Sequence, residues 1–378
     1  MISWQNRPLA DFVTSRPGNN KIIKGKQSSQ PGHGLFQGFS ASGPDVWVNF
    51  ADYHQPGVVI SAVGARCGKT FPADGDWTAI ANTHVLLPGN DIHPRWLWYR
   101  TNDEDFWIKG GAAQPFVKVK DTLQQAIPIP PLLEQRRIVR VLDEAFEGLA
   151  IAKANAEKNL QNARALFESH LQSVFTHRGP GWVEKRLGDV VTRLTNGYVG
   201  PTRNIYQESG VPYLLARHVK NNRLLFDYKT FISDDFNRKN KKSRLKAGDV
   251  LLVQSGHIGH SAVVTEEHEG HNCHAMIVIT AAEGAFIGPF LSLFFSSSEM
   301  KQKFQQIRSG STVPHLTCGE VKELMIPLPD RATQTRVVDH SKELDAETQR
   351  LTRIYEQKLA ALDALKKSLL YQAFSGNL

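Results

Sequence analysis

The sequence predicts a mixed α/β fold made twice: two globular modules and two long antiparallel helices that form a coiled coil, arranged as a pseudo-two-fold internal repeat. Three observations carry this. Residues 109–178 realign on residues 308–377 at one offset of 199 with no gap. Lys109-Gly110-Gly111 meets Arg308-Ser309-Gly310, Pro115 meets Pro314, Ile127-Pro128-Ile129-Pro130 meets Ile326-Pro327-Leu328-Pro329, and Gln135 falls on Gln334. An earlier stretch, Trp4 to Thr14, repeats as Trp182 to Thr192 at an offset of 178. Each copy then closes on a long proline-free segment with apolar residues every three or four positions. The offsets differ by 21, so the second copy carries about that many extra residues between its shared ends. Alike frames with unlike interiors suggest one scaffold holding two different reading heads.

Residues 1–126 form the first module. Trp47–Phe50, Gly57–Ala62 and Val85–Leu87 read as strands, and Pro94–Phe106 more weakly as a helix. Residues 127–178 carry the first long helix, over 131–177. Pro128, Pro130 and Pro131 suit its start, and His177-Arg178-Gly179-Pro180-Gly181 stops it. Its seam is Ile138, Leu142, Ala145, Leu149, Ala152, Ala156, Leu160, Ala163, Phe167, Leu171 and Val174, with two successive steps of four at 152–160 acting as a stutter. Residues 179–325 are the second module. Asp249–Val253 and Ala275–Ile279 read as strands, and Pro289–Arg308 as one amphipathic helix. Residues 326–378 carry the second long helix, over 330–374, with Leu344, Leu351, Tyr355, Leu359, Leu362, Leu365 and Leu369 on its seam and Ser375-Gly376 at its end. Each helix would be roughly 65–70 Å long. A rod of that length with a one-sided seam needs a partner, and its own repeat is the natural one.

A chain of 378 residues with 41% hydrophobic and 22% charged residues is ordinary for a soluble protein of two or more domains. The longest apolar runs, such as Phe286–Phe295, are too short for a membrane span. No secretion signal is visible, and Cys67, Cys273 and Cys318 are too few and scattered for a disulfide framework, so a cytoplasmic protein is expected. The net charge of +8 is unevenly spread. Residues 185–246 hold 14 basic against 5 acidic side chains, while both helices are near neutral, and a local surplus of that kind points to nucleic acid.

Signs of catalysis are weak. Gly64-Ala-Arg-Cys-Gly68-Lys69-Thr70 falls one residue short of a phosphate-binding loop, because Val63 stands where the first glycine is needed. A strand-to-strand turn beside a basic surface fits better. His257, His260, His268, His271, Cys273 and His274 lack the paired spacing of a zinc site. Glu320-Val321-Lys322 has a nuclease-like Glu-x-Lys pattern but no acidic partner, and the other copy has Val119-Lys120-Asp121 there. No Asn-Pro-Pro or Asp-Pro-Pro, no cofactor loop and no nucleophile–base pair stands out, so no catalytic residue and no metal site is assigned.

The chain resembles the specificity subunit of type I restriction-modification systems. Ile-Pro-Ile-Pro-Pro-Leu-Leu-Glu-Gln-Arg-Arg-Ile-Val at 127–139, Trp182 to Leu187 after the first helix, and the ending from Ser368 to Leu378 carry the resemblance. The Gly-x-x-x-Pro elements at Gly111–Pro115 and Gly310–Pro314 fit it too, and so does Arg217-His218-Val219 after Val211-Pro212-Tyr213. It implies two target recognition domains, 1–126 and 179–325, reading the halves of a bipartite asymmetric site in double-stranded DNA. Two modification subunits using S-adenosylmethionine, and restriction subunits using ATP and Mg, would be the partners; the chain itself would hold no cofactor. DNA contacts are expected from Lys21, Lys24, Lys26, Gln27, Arg66 and Lys69 in the first module. In the second they are expected from Arg193, Asn196, Tyr198, Arg203, Arg217, Lys220, Asn221, Arg223, Lys239, Lys241 and Lys242. Arg217 leads, since its family position lies on a loop facing DNA. Two other readings stay open: a restriction enzyme reduced to this chain, and a non-catalytic coiled-coil scaffold whose modules bind protein.

Overall fold

The structure, a computed structural model, describes residues 4–220, 222–309 and 315–378, with the side chains of 307–309 left out of the description. Asn221 and the Gly310–Pro314 element lie outside these. The chain divides into two compact units, one of residues 1–156 and 358–378, the other of 157–357.

In the first unit an antiparallel sheet runs in the order Val13–Pro17, Thr83–Pro88, Gly57–Ser61, Thr70–Ala73. Its central strand is the β-branched run Val58-Val59-Ile60, paired on both sides and fully buried. Side chains alternate across a strand, so Val58 and Ile60 face one way and Val59 the other. Val58, Ile60 and Leu86 pack on Trp96 and Leu97 of the helix Pro94–Thr101. Val59, Val85 and Leu87 pack on Phe39, Trp77 and Ala79 of a second sheet, ordered Gly43–Val48, Phe36–Ser40, Trp77–Ala79. The helix ends at Thr101, short of the expected Phe106, because Asp103 starts a separate turn by accepting from the Asp105 amide.

The ribbon Gln5–Pro8 with Ala126–Ile129 closes the module and delivers the chain to the long helix Leu132–Thr176. Within this unit that helix runs antiparallel to the C-terminal end of the second, Arg331–Ser375. Arg137 donates to the Leu378 carbonyl (2.7 Å), and Lys153 pairs with Asp363 (2.9 Å). Ile138, Leu142 and Ala373 are buried in one cluster.

The second unit repeats this plan. Its main sheet runs Val191–Asn196, Met276–Ala281, Val250–Val253, Ser261–Val263. Val250, Leu252, Ile277 and Ile279 face Phe290, Leu291 and Phe294 of the helix Gly288–Phe295. Leu251, Val253, Met276 and Val278 face Leu214, Val219 and Leu245 on the other side. Here the long helices are again antiparallel: Arg164 pairs with Glu356 (2.8 Å), and His170 Nε2 lies 3.1 Å from Ser341 Oγ.

The offset of 199 holds to the residue in three elements, but not at its start, where the strand Lys109–Gly110 falls on Arg308–Ser309 at the end of a helix. Val119–Leu123 becomes Cys318–Lys322, Ala126–Ile129 becomes Met325–Leu328, and Leu132–Thr176 becomes Arg331–Ser375. All eleven seam positions of the first helix are buried or half-buried. On the second, Leu365 is 48% exposed and does not belong to the seam. The single helix expected over Pro289–Arg308 is two, Gly288–Phe295 and Ser298–Ser309. Ser297 divides them: it is buried, and its hydroxyl accepts from the Met300 amide as a cap for the second piece.

Candidate nucleic-acid interface

In the first unit the expected contacts lie on two turns. Lys21, Lys24, Lys26 and Gln27 follow the edge strand Val13–Pro17, on a loop pinned by buried Ile22 against Val46, Val48 and Ile80. Lys24 is tied to Asp45 of the neighbouring hairpin, and Asp45 also accepts from Ser40 (2.6 Å). Lys21 and Lys26 are exposed. Arg66 and Lys69 sit on the turn between Gly57–Ser61 and Thr70–Ala73. Gly64 (φ 100°) and Gly68 (φ 93°) adopt left-handed backbone there, and a Cβ on Gly68 would meet the Trp107 ring at 3.1 Å. A strand, not a helix, follows Lys69, so the segment is the strand-to-strand turn expected. Lys69 lies over Phe71 (5.7 Å), and that ring packs against Gly43 of the same hairpin that holds Lys24. The hairpin Phe36–Val48 therefore links both basic turns.

In the second unit, Arg217 is exposed and donates to Thr230 Oγ1 (2.8 Å), with Asp227 at 3.6 Å. His218 beneath it is buried. Its Nδ1 accepts from the Leu215 amide (3.1 Å), so Nε2 carries the proton and donates to Asp227 (3.1 Å). Burial, then the charge of Arg217, holds its pKa below the ordinary histidine value. Lys220 and Arg223 face each other on a two-residue ladder, with Arg223 paired to Asp345 (2.6 Å). Lys239 pairs with Asp235 (2.7 Å), while Lys241 and Lys242 extend from the next turn. Tyr198 meets Phe236 edge-on (4.9 Å), and Arg203 is exposed on the loop beyond it. Asn196 accepts from the Cys318 thiol (3.1 Å). Arg193 differs from the rest: its guanidinium is turned inward onto the buried Asp249. Arg238, Arg244 and Lys246, which the sequence reading did not single out, are exposed around the same turn as Lys241 and Lys242. Their signal was the charge surplus of 185–246, which names a region and not its members.

The other motifs have structural employment. Glu320 and Thr317 form a reciprocal cap, Thr317 N donating to Glu320 Oε2 (2.8 Å) and Glu320 N to Thr317 Oγ1 (3.2 Å). Four of the histidines fall into separate pairs, His257 with His260 and His268 with His271, His274 lies against Tyr213, and Cys273 is fully buried in the core. Among the described residues no group of three His, Cys, Asp or Glu side chains could hold a metal ion. No helix among them is long and apolar enough to cross a membrane.

Comparison with known proteins places this architecture. The profile of the type I restriction modification DNA specificity domain matches residues 1–161 and again 180–360, and the chain belongs to that family. It is 23% identical over 285 residues to the type I restriction enzyme EcoBI specificity subunit of Escherichia coli, a match covering 69% of this chain and 59% of that subunit. It is 21% identical over 337 residues to the MjaVIII specificity subunit of Methanocaldococcus jannaschii, covering 83% and 77%. The fold is shared with a chain from a structural study of type I R-M complex assembly (TM-score 0.74, 18% identity, covering 100% of this chain and 98% of the other). It is also shared with the HsdS subunit of Thermoanaerobacter tengcongensis (TM-score 0.61, 18% identity, 100% and 97%). The family does not favour the protein-binding scaffold.

Proposed function

We propose that this chain is the DNA-recognition subunit of a type I restriction-modification complex, with each module reading one half of a bipartite asymmetric site. One observation carries the reading: a duplicated frame, whose long helices and entry ribbons share their bounds at constant offsets, supports unlike cationic turns in its two copies. A polyanion with two different half-sites is the ligand that such a pair of surfaces suits. Exposed lysines would grip phosphate, which fixes position, and Arg, Asn and Gln on the same loops would read base edges. The residues proposed for contact are those named above, with Arg193 given another task below.

In this reading the chain performs no chemistry. Two modification subunits bring S-adenosylmethionine for adenine methylation, restriction subunits bring ATP and Mg for cleavage, and the assembly works in the cytoplasm. The test is co-purification with the products of neighbouring genes, then mapping of methylated adenines in a host with and without this chain. One interrupted, non-palindromic motif that disappears with the chain is the expected result. An uninterrupted palindrome, or methylation indifferent to the chain, would overturn it.

A further inference from the structure

Arg193 stands on the edge strand of the second main sheet, opposite Thr280, yet its side chain does not extend into solvent. Nη2 pairs with Asp249, whose side chain is 0% exposed. Nε donates to Thr280 Oγ1 (3.0 Å), and Thr280 in turn donates to Asp249 Oδ1. Nη1 donates outward, to the carbonyls of Arg244 (2.8 Å) and Lys242 (3.4 Å). Asp249 Oδ2 also accepts from the Lys246 amide (2.7 Å). A second buried side chain acts on the same turn, for Asn272 Nδ2 donates to the Asn240 carbonyl (3.1 Å). The turn 240–246 is thus held from behind by its own backbone, at Asn240, Lys242, Arg244 and Lys246. Lys241 and Lys242 are left exposed on its outer side, and among the described residues neither has an ion pair.

A buried carboxylate is retained only when its charge is matched, and a planar guanidinium can match it while donating elsewhere through its remaining hydrogens. A lysine in the same place offers one point charge and no fork. We infer that Arg193 is a positioning residue, which with Asp249 holds the Lys241–Lys242 turn as a rigid cationic ridge for a nucleic-acid phosphate run. This rests on the DNA-recognition reading above and gives it a residue that never touches the ligand.

The test uses the full chain and the charge-conserving variant Arg193→Lys, beside Lys242→Gln. Binding to a random-sequence duplex is followed by fluorescence anisotropy over a series of salt concentrations, and amide hydrogen exchange is read over 240–246 without DNA. Losing one phosphate contact lowers the slope of log K against log salt by roughly 0.9. Lys242→Gln is expected to do so with exchange unchanged. Arg193→Lys removes no charge, yet is expected to lower the slope by about 1–2 and affinity about tenfold, and to speed exchange in 240–246. A merely structural role would lower thermal stability and leave slope and exchange as in the wild type; that result overturns the inference. If Arg193→Lys does not fold, Thr280→Val, which removes one member of the same network, is read by the same criteria. Faster exchange in the variant with no DNA binding by the wild type would instead overturn the recognition reading and spare the scaffold role of Arg193.

Discussion

Gln135 and Gln334 hold equivalent places in the two units, and each is buried at the start of a long helix. Gln135 accepts from the His93 amide (2.8 Å) and donates to the Asp91 and Pro130 carbonyls (2.9 Å each). Gln334 accepts from the Ile287 amide (3.0 Å) and donates to the carbonyls of Ala285 (3.3 Å) and Pro329 (3.0 Å). Each ties the loop before a core helix to the ribbon that enters a long one. Alanine at either place leaves several buried backbone groups unpaired, so each variant should lose about 2–4 kcal/mol of stability by denaturant unfolding. A loss within experimental error would show that water replaces the amide at no cost. Arg217 belongs to the same scale but to the ligand side. Its hydrogen bond to Thr230 orients a group that is 53% exposed. Arg217→Ala should weaken binding to the cognate half-site by about 1–3 kcal/mol in a gel-shift titration. Unchanged affinity would remove it from the interface.

The long helices show which parts of the molecule the sequence discloses. Their ends follow from prolines and glycines, and their first seam from apolar spacing, because both signals are local and backbone-driven. The second seam was harder to see. Ser341 and Thr348 are buried in it although polar, and Leu365 is exposed although apolar. Ser341 is accommodated by His170, a partner about 170 residues away in the chain that no window of sequence can supply. The candidate interface was legible in the same partial way. Charge density located the basic region, but Arg193 and Lys242 have the same signature in sequence. Only the burial of Asp249 separates a positioning residue from an exposed one. The polar seam also carries a pH prediction. Burial first, and His340 at 4.9 Å second, hold the His170 pKa below its ordinary value of 6.5. The unfolded chain then takes up the proton more readily than the folded one. Its contribution to stability is therefore complete above about pH 6.5 and is lost as pH falls below it. Thermal unfolding of the second unit between about pH 7.5 and about pH 5.5 should show this loss, and His170→Gln should lessen it without abolishing it, because burial also holds His218, His260, His271 and His274 of the same unit below the ordinary value. A melting temperature that rises on acidification would contradict the assignment.

At the scale of the whole molecule, the two units keep separate cores, each built from a main sheet, a helix on one face and a second sheet on the other. Their frames are joined to their interiors through main-chain groups and through side-chain packing alike. Gln135 and Gln334 bond only to amides and carbonyls, so they recognise a backbone shape that many side-chain sets can satisfy. In the first unit, side chains that must match the frame in kind stand on the helix Pro94–Thr101, where Trp96 meets Phe374 (6.0 Å) and Tyr99 donates to Asp143. An exchange that spares this helix should thus be tolerated. Replacing residues 18–88 with the corresponding segment of a relative, chosen to keep apolar residues at Val58, Ile60 and Leu86, is expected to leave the unfolding of the second unit unchanged. In the reconstituted complex it should alter one half of the methylated motif and preserve the other. Change in both halves would mean that the units do not read independently. Loss of all methylation from a chain whose two units still unfold as in the wild type would mean that residues 18–88 serve assembly and not recognition.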